Sequence, residues 1–177
     1  MILPTLAYSH GAPRLQVEET IVINAAPADV WNAIKNFDSI DNWHPAIKST
    51  KASGNEVDAT RTLTLDNGGT IDETLLKVDN EKMMMNYKIT AMSNAGEIDD
   101  HGKPHEIPVV PVSKYKAWLT VKADGTGSKV SWKGKFFRAY HGHETVPPKE
   151  LDDNTAKSAI SGIYKAGLEN LKAQLEK

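Results

Sequence analysis

Hydrophobic and polar positions follow two periods along this chain, and the changes between them mark out its elements. Residues 16–24, Gln-Val-Glu-Glu-Thr-Ile-Val-Ile-Asn, alternate loosely and are rich in β-branched side chains, which predicts a first strand. From Ala25 the spacing becomes three and four. Val30, Trp31, Ile34 and Phe37 recur on one helical face, and Pro27 falls in the first turn, where a missing N–H costs nothing. A short second helical turn is predicted over Asp38–Trp43, ended by Pro45.

From residue 47 to 137 the period is two. Ile47–Ala52, Thr60–Leu65, Thr70–Val78, Lys82–Ala91, Lys114–Lys122 and Lys129–Phe137 are candidate strands separated by turn residues, with Asn67-Gly68-Gly69 and Asp124-Gly125-Thr126-Gly127 as hairpin signals. In the last strand Lys129, Ser131, Lys133 and Lys135 alternate with Val130, Trp132, Gly134 and Phe136, as in an antiparallel sheet covered on one face only. Beyond Pro147-Pro148 the helical period returns. Asp152 or Asp153 can cap a helix over 152–175 whose stripe is Ala156, Ile160, Ile163, Tyr164, Gly167, Leu168, Leu171 and Leu175. At ~1.5 Å per residue it would be about 35 Å long, enough to lie across the concave face of the sheet. Residues 93–111 fit neither period and read as a long solvated hinge loop. Strands in a run, with helices packed on one face, make the fold class α+β with about seven strands.

The length of 177 residues suits one domain, here 16–177, preceded by an N-terminal tail at 1–15. A net charge of −2 argues against nucleic acid or an anionic membrane surface as partner, and no apolar run is long enough for a membrane span. Cysteine is absent, which removes disulfides, thiolate metal sites and cysteine nucleophiles. Ala7-Tyr8-Ser9 places small residues where a signal peptidase needs them, although Met1–Ser9 carries neither a charged start nor a full apolar run. The segment is either a plain tail or the stump of an export signal that begins upstream of Met1.

Several stretches together carry a resemblance. Ile23-Asn24-Ala25-Ala26-Pro27-Ala28-Asp29-Val30-Trp31, Phe37 and Asn42-Trp43-His44-Pro45 resemble the opening of the START/polyketide-cyclase (SRPBCC, birch-allergen-like) superfamily. Gly69-Thr70-Ile71-Asp72-Glu73-Thr74-Leu75 is similar to its central hairpin, and Phe136-Phe137-Arg138, Pro147-Pro148 and Ile163–Leu171 to its end. The His10-Gly11 start, Trp43-His44-Pro45 and the Pro-Pro linker look closest to the MxaD-like group, exported proteins associated with bacterial methanol oxidation. The resemblance implies a helix-grip fold, a curved sheet wrapped around the C-terminal helix with a cavity for a hydrophobic ligand between them. It also implies a periplasmic location, and it does not imply one chemistry.

Arg61 and Glu73 are the most informative candidate site residues. Arg61 shares its strand face with Leu63 and Leu65, and Glu73 shares its face with Ile71 and Leu75. A three-residue loop with Gly68 left-handed sets 61 opposite 73, so the two charges meet on the apolar side. They form either a self-satisfied ion pair or a polar anchor for a ligand carboxylate or carbonyl. Trp43-His44 could stack on and hydrogen-bond a ligand near the cavity mouth, or be a packed Trp beside a surface His. Met85, Tyr87 and Trp132 are ordinary core or ligand wall, and with Tyr164 of the helical stripe they complete the candidate ligand contacts. His141-Gly142-His143-Glu144, with Asp99, Asp100, His101, His105 and Glu106, offers metal-ligand types without a fixing spacing, so no metal and no cofactor is expected. No nucleophile with its base, phosphate loop or dinucleotide fingerprint is present. Three functions remain: a carrier or sensor of a small apolar or amphipathic ligand, an accessory protein with a periplasmic redox protein partner, and a small cyclase or isomerase using Glu73.

Overall fold

A computed structural model describes residues 12–100, 102–141 and 146–177; the export motif at 7–9, the His10-Gly11 start, His101, His143 and Glu144 lie outside them. Strand β1 (Leu15–Ile23) leads into helix α1 (Pro27–Ile34), which starts at the proline, and a 3-10 turn at Ile40–Asn42 follows. Next come β2 (Ile47–Ala52), β3 (Thr60–Leu65), β4 (Thr70–Asp79), β5 (Met84–Met92), β6 (Asn94–Asp100) and β7 (Lys103–Pro108). The chain ends with β8 (Val112–Asp124), β9 (Gly127–Arg138) and the long helix α2 (Asp153–Leu175).

Seven strands form one antiparallel sheet in the order β1-β9-β8-β5-β4-β3-β2, while β6 and β7 pair only with each other. The separate hairpin corrects the reading of 93–111 as a hinge loop. Ile98 lies opposite His105 and Glu97 opposite Glu106, and the turn is braced by the Gly102 N–H donating to Asp99 Oδ1 at 2.6 Å. So few apolar side chains occupy this hairpin that its strand period was hidden; backbone pairing, not burial, satisfies it.

The β3–β4 turn follows its chemistry. Gly68 has φ +85°, Leu65 N–H donates to the Gly69 carbonyl at 2.8 Å, and Arg61 pairs with Glu73 and Leu63 with Ile71. Between β4 and β5 the register shifts at Asp72/Glu73 and again at Leu75/Lys77, and such bulges bend a sheet and re-aim side chains.

Helix α2 is capped by Asp152, whose side chain accepts from the Thr155 N–H at 2.7 Å. Its buried residues Ala156, Ile160, Tyr164, Leu168 and Leu171 face the sheet, and its contacts fall on β1 and β9. Asn170 Nδ2 donates to the Trp43 carbonyl at 2.9 Å and Lys172 Nζ to that of Val22 at 2.8 Å, which ties down the last turns. The helix therefore seats on one side of the sheet and leaves the inner faces of β3, β4 and β5 to enclose something else.

The seat depends on Gly167. A methyl group there would stand 2.5 Å from His44 Cδ2 and 3.0 Å from Trp132 Cζ3. Although alanine is the better helix former, Gly167→Ala is expected to destabilise the protein by about 1–3 kcal/mol through this overlap. A lower midpoint in urea unfolding would show it.

Candidate ligand cavity

The space beneath α2 is a cavity of about 320 Å³. Leu63 and Leu65 of β3, Ile71 of β4 and Ile89 of β5 wall one side, and Ile160 and Ile163 of α2 close the other. Val109 and Val110, at the foot of the β6–β7 hairpin, border it, as do Asp66 and Asn67 in the β3–β4 turn. These walls are apolar because every second residue of a strand faces inward. Glu73, Tyr87, Tyr115 and His44 add polar side chains to this lining.

Arg61 and Glu73 are each only 4% exposed. Arg61 Nε and an Nη both reach Glu73 Oε2 at 2.6 Å, and the other Nη donates to the Phe37 carbonyl at 2.8 Å. The guanidinium carbon lies 4.0 Å from the centre of the Phe37 ring. Burial pushes the Glu73 carboxyl up from its usual range, and the charge and hydrogen bond of Arg61 pull against it. A neutral Glu73 would leave a buried guanidinium uncompensated, so the pair is charged on both sides.

His44 is buried, which excludes the surface reading for it. Its Nδ1 accepts from the Ala46 N–H at 3.2 Å, so Nε2 carries the proton and donates to the Ile163 carbonyl at 2.9 Å. Burial lowers its pKa below the ordinary 6.5, the Arg61 charge adds to this, and the Ile163 hydrogen bond opposes it. Trp132 stacks on Tyr164 at 4.4 Å and donates from Nε1 to the Tyr87 hydroxyl at 2.9 Å; the hydroxyls of Tyr115 and Tyr164 bond each other at 2.5 Å. Burial raises all three phenols above their ordinary range, so they stay protonated.

Of the residues singled out in the sequence, Glu73, Tyr87, Trp132 and His44 border the cavity together. Arg61, Trp43 and Met85 stand behind that wall, beside a void of about 10 Å³. Tyr164 lies under Trp132 and supports it from the far side. His141 is engaged by Ser113 Oγ at 2.7 Å, and its proposed companion His143 falls outside the described residues. Sequence reasoning missed Tyr115, an inward position of β8 whose alternation with Lys114 and Lys116 marked its face. It also missed Val109 and Val110, which reach the cavity only because the hairpin folds beside it.

A sheet gripping one long helix around an apolar cavity defines a class of ligand-cavity proteins. The profile of the polyketide cyclase/dehydrase and lipid transport family matches residues 14–176, and the chain belongs to that family. Among solved structures it is similar to the protein XoxI from Bacillus cereus at 25% identity, covering 92% of this chain and 96% of that one, with a TM-score of 0.72. An uncharacterised protein from Bacillus thuringiensis is similar at 23% identity, over 92% and 100% of the two chains, with a TM-score of 0.72. The ginseng major latex-like protein 151 from Panax ginseng shares the fold at 11% identity, over 92% and 97%, with a TM-score of 0.65. No curated protein sequence matches.

Two outcomes are expected from this geometry. Removing one member of the buried pair, in Arg61→Leu or Glu73→Leu, should cost about 3–5 kcal/mol, while the double substitution should recover much of it. Urea unfolding of the four proteins measures this, and equal losses in single and double variants would contradict it. Because folded His44 refuses a proton that the unfolded chain takes up below about 6.5, stability should fall as pH drops through that region, by at most ~1.4 kcal/mol per pH unit. His44→Gln should flatten the slope, and denaturation series at pH 7.5 and 5.5 compare the two.

Proposed function

We propose that this protein binds a small apolar or amphipathic molecule in the cavity between the sheet and α2. The observation that carries this is a mainly apolar space of about 320 Å³ whose lining includes the polar side chains of Glu73, Tyr87 and Tyr115. That volume lies at the lower end of the ~300–1,000 Å³ usual for small-molecule sites. The family description, which includes lipid transport, supports the same reading. Titration with the neutral dye N-phenyl-1-naphthylamine tests it. Ile89→Trp and Leu65→Trp, each placing an indole in the cavity, should weaken dye binding about tenfold or more while the far-ultraviolet spectrum is kept. Unchanged binding in both variants would sink the proposal.

A second reading, an MxaD-like accessory protein acting on a periplasmic redox partner, is favoured by one surface. On the outer face of β8 and β9, Lys122 lies directly opposite Lys129 and Lys116 opposite Lys135, around the half-buried Trp118. Like charges facing across strands are destabilising, so a face that keeps two such pairs suits an acidic partner. Lys122→Glu with Lys129→Glu should abolish any salt-sensitive complex with an alcohol dehydrogenase or cytochrome encoded beside this protein. Export to the periplasm belongs to this reading and is checked by sequencing the N-terminus of the native protein; a native chain that begins at Met1 in the cytoplasm would refute it.

A further inference from the structure

The chemistry that the cavity selects follows from how Arg61 and Glu73 divide their contacts. Arg61 directs Nε and one Nη to the same carboxylate oxygen, Oε2, and gives its other Nη to the Phe37 carbonyl. The rings of Phe37 and Tyr87 cover the guanidinium, whose carbon lies 4.0 Å and 5.1 Å from their centres. Glu73 borders the cavity and Arg61 does not. The guanidinium is thus enclosed behind its partner, and the group turned to the cavity is a carboxylate. An ionised carboxylate has acceptor sites to spare and no proton to give.

The neighbouring polar groups leave that role to Glu73. His44 has committed one ring nitrogen to the Ala46 N–H and the other to the Ile163 carbonyl. The Tyr87 hydroxyl is engaged by Trp132 Nε1 and the Tyr115 hydroxyl by that of Tyr164. Asp66 adds a second acidic side chain to the lining, and among the described residues no lysine or arginine borders the cavity.

We infer that Glu73 Oε1 is the polar anchor of the cavity, and that the ligand is an uncharged apolar molecule bearing a hydrogen-bond donor, a hydroxyl or an N–H. This deepens the cavity-binding reading above and rests on it. Arg61 is a positioning residue: it holds the carboxylate and keeps it charged without touching the ligand. A carboxylate head at Glu73 would meet a like charge, and the neighbouring cation, Arg61, is already committed to Glu73 and the Phe37 carbonyl. An ether would cover Oε1 and leave it without a partner, which is costly for a charged acceptor.

Three probes with one apolar body separate these cases: 2-naphthol, 2-methoxynaphthalene and 2-naphthoate. Each is titrated by displacement of N-phenyl-1-naphthylamine from the full chain near neutral pH. The expected order is 2-naphthol about tenfold or more tighter than the methyl ether, with the carboxylate weakest. In Glu73→Gln the amide carbonyl must face Arg61, so the NH2 group faces the cavity and the preference for naphthol over the ether should vanish or reverse. Arg61→Leu with Glu73→Leu, which removes both charges, should bind the two neutral probes alike and provides the comparison if Glu73→Gln unfolds. Equal affinity of the wild-type protein for naphthol and ether, or tightest binding of the carboxylate, would overturn the inference while cavity binding stands. Failure of the dye and all three probes to bind would remove the cavity reading itself, and this inference with it.

Discussion

Seven strands spaced ~4.8 Å apart make a sheet about 29 Å across, whereas a single helix with its side chains is about 10–12 Å wide. One helix cannot cover such a sheet. The chain meets this constraint unevenly, seating α2 on β1 and β9 and letting the sheet curl through the bulges between β4 and β5. The inner faces of β3, β4 and β5 are then roofed at a distance by Ile160 and Ile163 and from the side by Val109 and Val110. The cavity is what remains where α2, seated on β1 and β9, and the short α1, packed on β8 and β9, leave β3, β4 and β5 uncovered.

Within that space the buried ion pair has a direction. Arg61 bonds to the Phe37 carbonyl as well as to Glu73, so it joins the segment after α1 to strand β4. Replacing such a pair by apolar side chains is often neutral or stabilising, so stability alone does not explain keeping it. Its asymmetry, with the cation enclosed and the carboxylate on the wall, is the feature that a ligand would meet.

The sequence made local rules visible where they act alone. The bounds of β2 and β3, Ile47–Ala52 and Thr60–Leu65, stand where alternation placed them, and Asn67-Gly68 set the register that brings Arg61 opposite Glu73. Other features depend on residues far apart in the chain. His44 is buried because Gly167 leaves room for its ring and the Ile163 carbonyl accepts a hydrogen bond from its Nε2–H, and neither could be inferred from the residues beside it. Whether Met85, Trp43 or Tyr164 borders the cavity or backs it is decided by where α2 comes to rest, which periodicity does not specify. The β6–β7 hairpin escaped notice because its backbone pairing proceeds with little apolar burial.

The uneven seating of α2 also separates two kinds of inheritance. The groups that hold the helix, on β1, β9 and the segment around Trp43, form a scaffold that descendants must keep in order to fold. The aliphatic walls on β3, β4 and β5 lie apart from that scaffold, so their side chains can change in size and shape without rebuilding the frame.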